Sequence, residues 1–203
     1  MTKNSFSKHL TPLFLAGFFI MSLLLTGCGV QSIPQQLNEV EATWAEVQNQ
    51  FQRRADLIPN LVETVKGFAK QEQGVFVGVT EARAKATSLN ISVNDLNEAN
   101  LKKIQEAQGQ LKSALGRLLA VAENYPALKS DQNFRDLQAQ LEGTENRITI
   151  ARQRYIESVK QFNNLITVFP TSLTNSIFFH HEKKPQFAAE NLNEIQKPPA
   201  VKF

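Results

Sequence analysis

The chain has 203 residues and a formal net charge of +3, from 22 Lys and Arg against 19 Asp and Glu. A nucleic-acid interface needs a clustered basic face, which this near-balance does not support. The single cysteine excludes a disulfide within the chain, and the length allows one domain with a sizeable core.

The first 28 residues have the layout of an export signal. Lys3 and Lys8 make a basic start, and residues 13–25 form an uncharged run of mainly Leu, Phe, Ile and Ala. As a helix this run would be about 20 Å long, shorter than the roughly 30 Å hydrocarbon core of a bilayer. We therefore predict a signal peptide rather than a permanent membrane span. Cleavage before Cys28 would remove two basic residues and no acidic one, leaving a net charge near zero.

Residues 25–28, Leu-Thr-Gly-Cys, resemble the lipobox of bacterial lipoproteins. In a lipobox the small residues give the signal peptidase access to the backbone, and the thiol takes the diacylglyceryl group. The alternatives are an uncleaved signal anchor and a buried thiol, but the order and spacing favour lipidation of Cys28. We expect a cleaved signal at 1–27, a lipidated linker at 28–32 and a stable membrane anchor. Because Gly29 is not aspartate, we expect the outer membrane, facing the periplasm.

From Ile33 onward, apolar residues recur at alternating steps of three and four, which indicates helices with one buried stripe. We predict a turn at 54–56 and a second helix from 57 to 89. The phase of the stripe does not shift across Pro59, so one long kinked helix is the alternative. The stripe residues are Ile33, Leu37, Val40, Trp44, Val47 and Phe51, then Ile58, Leu61, Val65, Phe68, Val75, Val79, Ala82, Ala86 and Leu89.

Two more helices follow a polar loop at 90–95, where Asn94 or Asp95 is the expected helix cap. Pro126 stops the third helix, and Ser130 or Asp131 caps the fourth, which ends at Pro170. Their stripes are Leu101, Ile104, Leu111, Leu115, Leu118, Ala122 and Tyr125, then Phe134, Leu137, Leu141, Ile148, Ala151, Tyr155, Phe162, Leu165 and Phe169. Four amphipathic helices with short connections predict an all-α fold, an antiparallel up-and-down four-helix bundle over 33–170.

Residues 171–203 predict a short amphipathic segment and a flexible, proline-containing tail beginning near residue 182. The apolar residues of the segment are Leu173, Ile177 and Phe178. Next to it stand His180 and His181, which we interpret as solvated loop residues, because two ligands without a nearby cysteine or carboxylate pair make a poor metal site.

Motifs of catalysis are missing from the sequence, which has no Gly-rich phosphate loop, His-Glu-x-x-His, Cys-x-x-Cys or nucleophile elbow. We therefore predict no enzyme activity, cofactor, metal or small-molecule substrate.

Five polar residues fall on stripe positions: Arg54, Glu72, Gln108, Thr144 and Ser158. Such residues either reach water near a helix end or form a buried polar layer that fixes helix register. We interpret Arg54 as lying near a helix end, while Glu72 and Gln108 leave both possibilities open.

Several segments together resemble the LemA family over residues 35–170: 45–62, 65–67, 80–84, 122–126, 133–138, 141–148 and 169–170. The resemblance implies a membrane-tethered antiparallel helical bundle and brings no known reaction, while relatives are associated with membrane organisation, including a magnetosome protein. The chain departs from the family pattern at Gln71, where a histidine is commoner, and has extra glycines at Gly74 and Gly78.

The anchor, the bundle and the missing chemistry favour a non-enzymatic scaffold or adaptor for other envelope proteins. A regulatory subunit of a membrane protease or other envelope enzyme is the alternative. An enzyme that uses Glu123 or Glu142 with an arginine comes third, because carboxylates and arginines on helices are usually solvated or ion-paired.

The expected topology brings the first and third helix connections to the end far from the membrane. A candidate partner surface there consists of Arg53, Arg54, Asp56 and Asn60 together with Glu123, Asn124, Asn133 and Arg135. These residues could instead cap and cross-link helix ends, which Asp56 and Asn124 suit. If they bind, Arg53 and Arg135 are the first candidates, because arginine is enriched in interfaces.

Overall fold

The computed structural model describes the backbone of residues 7–187 and the side chains of residues 30–187. Its elements are α1 Ser7–Phe68, α2 Gln73–Thr87, α3 Glu98–Val121, a 3₁₀ turn Ala122–Asn124, α4 Pro126–Ser130, α5 Gln132–Thr167, α6 Thr171–Thr174 and a π-helical turn Asn175–Phe179. The all-α class with long antiparallel helices is confirmed. In the part of the chain that the structure describes, no helix is long and apolar enough to cross a membrane.

The first helix is much longer than the sequence predicted. α1 continues through 54–56 and ends at Phe68, so the predicted turn there and the separate helix over 57–89 are wrong. The alternative of one long helix past Pro59 is nearer to the structure. The chain breaks at 69–72 instead, because residues 70–74 contain no apolar side chain that a continued helix could bury.

This shift of the break changes which aromatic residues are buried. Phe68, a predicted stripe residue, is exposed at the end of α1, whereas Phe76 on α2 is buried in the core. The rest of the predicted stripe holds on α2, where Val79 and Ala86 are buried, so the difference is confined to the residues next to the break.

The chain forms two compact units. Among the described residues, unit 1 comprises residues 7–49 and 153–184, and unit 2 comprises residues 50–152 and 185–187. In unit 1, α1 and α5 pack antiparallel, since the Trp44 ring lies 5.3 Å from the Tyr155 ring and Glu46 pairs with Arg154 at 2.8 Å.

Unit 2 holds an extensive apolar cluster. In it α2 packs along α3, while α1 and α5 supply further buried residues. The core includes Ile58, Leu61, Val65, Phe76, Val79, Leu111, Leu118, Leu128, Phe134 and Leu141. All of these except Phe76 and Leu128 are positions that the apolar stripes predicted.

Side-chain caps fix two helix starts in unit 2. The Asn97 carboxamide accepts a hydrogen bond from the Asn100 N–H at 2.8 Å, so the cap of α3 lies just after the predicted Asn94 or Asp95. The Asp131 carboxylate accepts the Phe134 N–H at 2.9 Å, which confirms Asp131 as a cap of α5.

Candidate functional site

A buried arginine joins three helices of unit 2. Arg54 on α1 is 2% exposed, pairs with the Glu145 carboxylate of α5 and donates a second hydrogen bond to the Gln108 carboxamide oxygen of α3. Its Nε has no hydrogen-bond partner. Our interpretation of Arg54 as a residue near a helix end is wrong, because α1 does not end there. Arg54 and Gln108 instead form a buried polar layer, which fixes the register of helices.

Pro59 lies inside α1 without ending it. A proline has no N–H to donate to the carbonyl four residues earlier, which here belongs to Ala55. Arg83 on α2 supplies the missing donor, since its Nε lies 2.8 Å from the Ala55 oxygen. Ala55 is 2% exposed, so this carbonyl would otherwise be left buried without a partner.

A third cross-link connects the break after α1 with the connection after α3. The Tyr125 hydroxyl donates to the Glu72 carboxylate at 3.3 Å, and both side chains are half-buried. Desolvation of the hydroxyl and the negative charge of Glu72 both raise the pKa of Tyr125. Glu72 is therefore neither fully solvated nor part of the buried layer.

The structure separates the residues of the predicted partner surface. Arg53, Asp56 and Asn60 are exposed along α1, where Asp56 accepts a hydrogen bond from Gln52 at 2.7 Å. Within the described part of the chain, Arg53 has no hydrogen bond or ion pair. Arg54 is buried and cannot be part of a surface.

The second group of that surface surrounds the connection from α3 to α5. Glu123 pairs with Lys129 at 2.6 Å, and Arg135 bonds to Gln132 at 2.6 Å. Asn124 and Asn133 are exposed nearby. Along α5, Arg135 lies about 15 Å from Glu145, the partner of Arg54. Arg53 and Arg135 therefore lie at different levels along α1 and α5, because α1 makes no turn at 54–56.

A groove in unit 1 was not predicted from the sequence. Its volume is about 460 Å³, and it is lined by Glu39, Thr43, Glu46, Arg154, Glu157 and Gln161. At its floor, the Thr43 and Ser158 hydroxyls are 2.7 Å apart and hydrogen-bonded. Three carboxylates against one guanidinium make the groove acidic. The sequence feature that could have predicted the groove is the spacing of its lining residues, which recur at steps of three and four on both helices.

The C-terminal part of unit 1 folds into a hook, residues 168–184. The Asn175 side chain bonds to both the N–H and the carbonyl of His181, at 3.0 and 3.1 Å. The His181 ring stacks on Phe179 with 5.7 Å between centroids, so it is not the solvated loop residue that we expected, whereas His180 is exposed.

The end of the hook is fixed as well. The Asn163 carboxamide binds both backbone groups of Lys184 at 2.9 Å. In unit 2, Phe187 is buried and its ring lies 4.5 Å from the Arg152 guanidinium. Residues 182–187 thus differ from the flexible tail that we predicted, while residues 188–203 lie outside the described part.

The backbone of Cys28 belongs to α1, and its side chain lies outside the described residues. Among the described side chains of unit 1, Ile33 is the first that is buried. Among the described side chains, no three histidine, cysteine, aspartate or glutamate residues could hold a metal ion together.

Comparison with known proteins gives a family and two similar relatives. The LemA family model matches residues 43–203. Magnetosome protein MamQ of Magnetospirillum gryphiswaldense is 24% identical over 169 residues, which are 75% of this chain and 61% of that protein. Magnetosome protein MamQ 2 of Paramagnetospirillum magneticum is 26% identical over 149 residues, 65% of this chain and 55% of that protein. The chain thus spans about three-fifths or less of the length of these curated relatives.

Proposed function

This chain belongs to the LemA family, and from that membership we propose that it is a membrane-anchored, non-enzymatic scaffold or adaptor for another envelope protein. The relatives are named as magnetosome proteins, which supports a role in organising a membrane-associated assembly. In this proposal α1, α2, α3 and α5 make an up-and-down four-helix bundle, and the lipid on Cys28 holds it at the outer membrane.

The anchor is supported by the continuity of α1. The helix runs without a break from Cys28 to Ile33, the first buried residue among the described side chains. A lipid on Cys28 would therefore be joined to the folded body by about one helical turn. This short connection would hold the protein close to the membrane.

The observation that carries the scaffold proposal is the division of α1 into a buried and an exposed side. Arg54 and the Ala55 carbonyl are tied inward, to α5, α3 and α2. Arg53 and Asn60 face solvent on the same stretch of helix. The family resemblance covers residues on both sides of this stretch of α1. The stability of the fold explains the residues on the buried side but not those on the exposed side. We assign partner binding to the exposed side, called the α1 face, which consists of Arg53, Asp56 and Asn60.

Charge reversal tests this assignment. Arg53→Glu should abolish capture of the partner by the affinity-tagged protein from detergent-solubilised membranes. The free energy of unfolding should change by less than about 0.5 kcal/mol, since an exposed residue without an ion pair is replaced. Lys103→Glu on α3 is the matched control, because Lys103 is exposed and likewise makes no ion pair within the described part of the chain.

Other outcomes separate the remaining possibilities. Equal capture by the Arg53→Glu variant and the parent would exclude Arg53 from the interface. Arg135→Glu, tested separately, asks whether binding extends to the connection between α3 and α5. If the captured protein is an enzyme whose activity changes on binding, the regulatory subunit replaces the scaffold.

A further inference from the structure

The two long helices of unit 1 each contain or lead into a stretch of the chain without charged residues. Residues 10–38 contain no Asp, Glu, Lys or Arg, and neither do residues 161–181. The charged residues that bound these stretches are Lys8 and Glu39 on α1, Lys160 on α5, and Glu182 directly after the second stretch. One such stretch would follow from the export signal alone, but the second has no such explanation.

The antiparallel register of α1 and α5 places Glu39 and Lys160 at the same level along the helix pair. Trp44 on α1 contacts Tyr155 on α5. Because the two helices are antiparallel, Ile33, which precedes Trp44 by as many residues as Ile166 follows Tyr155, lies level with Ile166. Both isoleucines are buried. The same register sets Asn38 level with Gln161. Residues 30–38 with 161–181 therefore contain no charged residue, and they form one end of unit 1 once the signal is cleaved before Cys28; we call them the uncharged end.

The uncharged end also exposes large apolar side chains. Leu173 and Ile177 are each 56% exposed, Phe178 is 61% exposed and Phe169 is 74% exposed. Val30 on α1 and Val168 at the start of the hook are exposed as well. A soluble monomer rarely gathers so many apolar side chains in one patch unless the patch binds something.

The hook holds these side chains in place. Asn175 and Asn163 each bind both backbone groups of another residue of the hook, namely His181 and Lys184. The segment from Phe169 to Phe178 lies inside the loop that the tie between Asn163 and Lys184 closes. The exposure of the apolar residues is therefore part of the fold and does not come from a loose chain end.

We propose that the uncharged end sits in the headgroup layer of the membrane, with Phe169, Leu173 and Ile177 reaching the boundary of the acyl chains. The proposal rests on the lipid on Cys28, which lies on α1 just before the uncharged end. Cys28 lies about 16 Å along α1 from Glu39. Apolar faces at membrane interfaces reach about 5–10 Å into this boundary, so the first charged residues would stay in water.

The chemistry of the uncharged end fits a lipid surface better than a protein partner. Its exposed polar side chains, such as Gln35, Asn164 and Ser176, are uncharged and can bond to headgroups and interfacial water. Burial of a charge in this layer would be costly, and the patch has none. The membrane is also the one partner that the lipid on Cys28 would bring to this end.

Cysteine labelling tests the proposal on the lipidated full chain. Cys28 is the only cysteine, so Ile177→Cys adds a single free thiol for an environment-sensitive fluorophore. The protein is reconstituted into phosphatidylethanolamine and phosphatidylglycerol vesicles. Quenching by nitroxide-labelled lipids is then compared with quenching by aqueous iodide. Ile150→Cys is the control, because Ile150 is 48% exposed and lies outside the uncharged end.

We expect the fluorophore at residue 177 to lose most of its emission to the lipid quencher and little to iodide, with the opposite result at residue 150. Equal iodide quenching at both positions would overturn the proposal. Protection from both quenchers at residue 177 would also overturn it, since a protein or a second copy would then cover the patch. Uptake of fluorophore by the parent chain would show that Cys28 carries no lipid. That result would remove the anchor and the premise of this proposal together.

Discussion

The helix that passes through Pro59 gives the sharpest prediction about stability. Arg83→Met keeps most of the aliphatic stem but removes the donor that serves the Ala55 carbonyl. A buried carbonyl without a partner costs about 1–3 kcal/mol, and Ala55 is 2% exposed. We therefore expect a loss of about 2 kcal/mol in the free energy of unfolding.

The same reasoning predicts a rescue. Pro59→Ala restores an N–H that can donate to the Ala55 carbonyl, and alanine is favoured over proline in a helix interior by about 3 kcal/mol. In the Pro59→Ala background the loss from Arg83→Met should fall below about 0.5 kcal/mol, as the carbonyl then has its own helical donor. The coupling energy between the two sites should be about 1.5 kcal/mol.

Urea unfolding of the chain from Gln31 onward, followed by circular dichroism, measures these values from the transition midpoints at a constant slope. Lys85→Met is the matched control on α2, because Lys85 is exposed and bonds only to the exposed Gln110 among described residues. Its effect should stay within about 0.5 kcal/mol. Equal losses from Arg83→Met with and without Pro59 would refute the compensation.

The remaining predictions concern the buried network, pH and the anchor. Arg54→Met should cost roughly 2 kcal/mol in urea unfolding, below the 3–5 kcal/mol typical of a broken buried ion pair, since the Glu145 side chain is 36% exposed and can be hydrated. Burial raises the pKa of Tyr155 above its ordinary value of 10. Its contribution to stability is therefore complete below pH 10 and lost as the pH rises further, so the melting temperature should fall there, and less so in Tyr155→Phe. Trp44→Ala should cost about 3–5 kcal/mol in the same unfolding assay, and a loss near zero would contradict its burial in unit 1. Cys28→Ala should abolish metabolic labelling with palmitate, and unchanged labelling would exclude lipidation at this residue.

The sequence predicted the helical class and most of the core, because the apolar stripes need only local periodicity. It failed at 54–56, where we expected a turn because one straight helix through Leu89 would outreach its partner helices. The donor that lets α1 continue past Pro59 is Arg83, which is distant in sequence. Local patterns contain no information about such a partner.

The candidate sites show the same limit. The position of Arg54 on the stripe raised the possibility of a buried layer, but its partners Gln108 and Glu145 are set by tertiary packing. The two uncharged stretches are visible in the sequence, whereas their common level follows only from the register of α1 and α5. The hook depends on hydrogen bonds made by asparagine side chains. The spacing of apolar residues along the sequence gives no information about such bonds.

The scaffold proposal is tested most directly by photo-crosslinking in intact cells. A photoreactive amino acid replaces Arg53 on the α1 face, or Lys103 on α3 as the control. We predict that position 53 yields a crosslink to one discrete envelope protein, that position 103 does not, and that the crosslink is lost when Cys28→Ala releases the anchor. The absence of any crosslink at position 53, or the same products from both positions, would contradict the proposal.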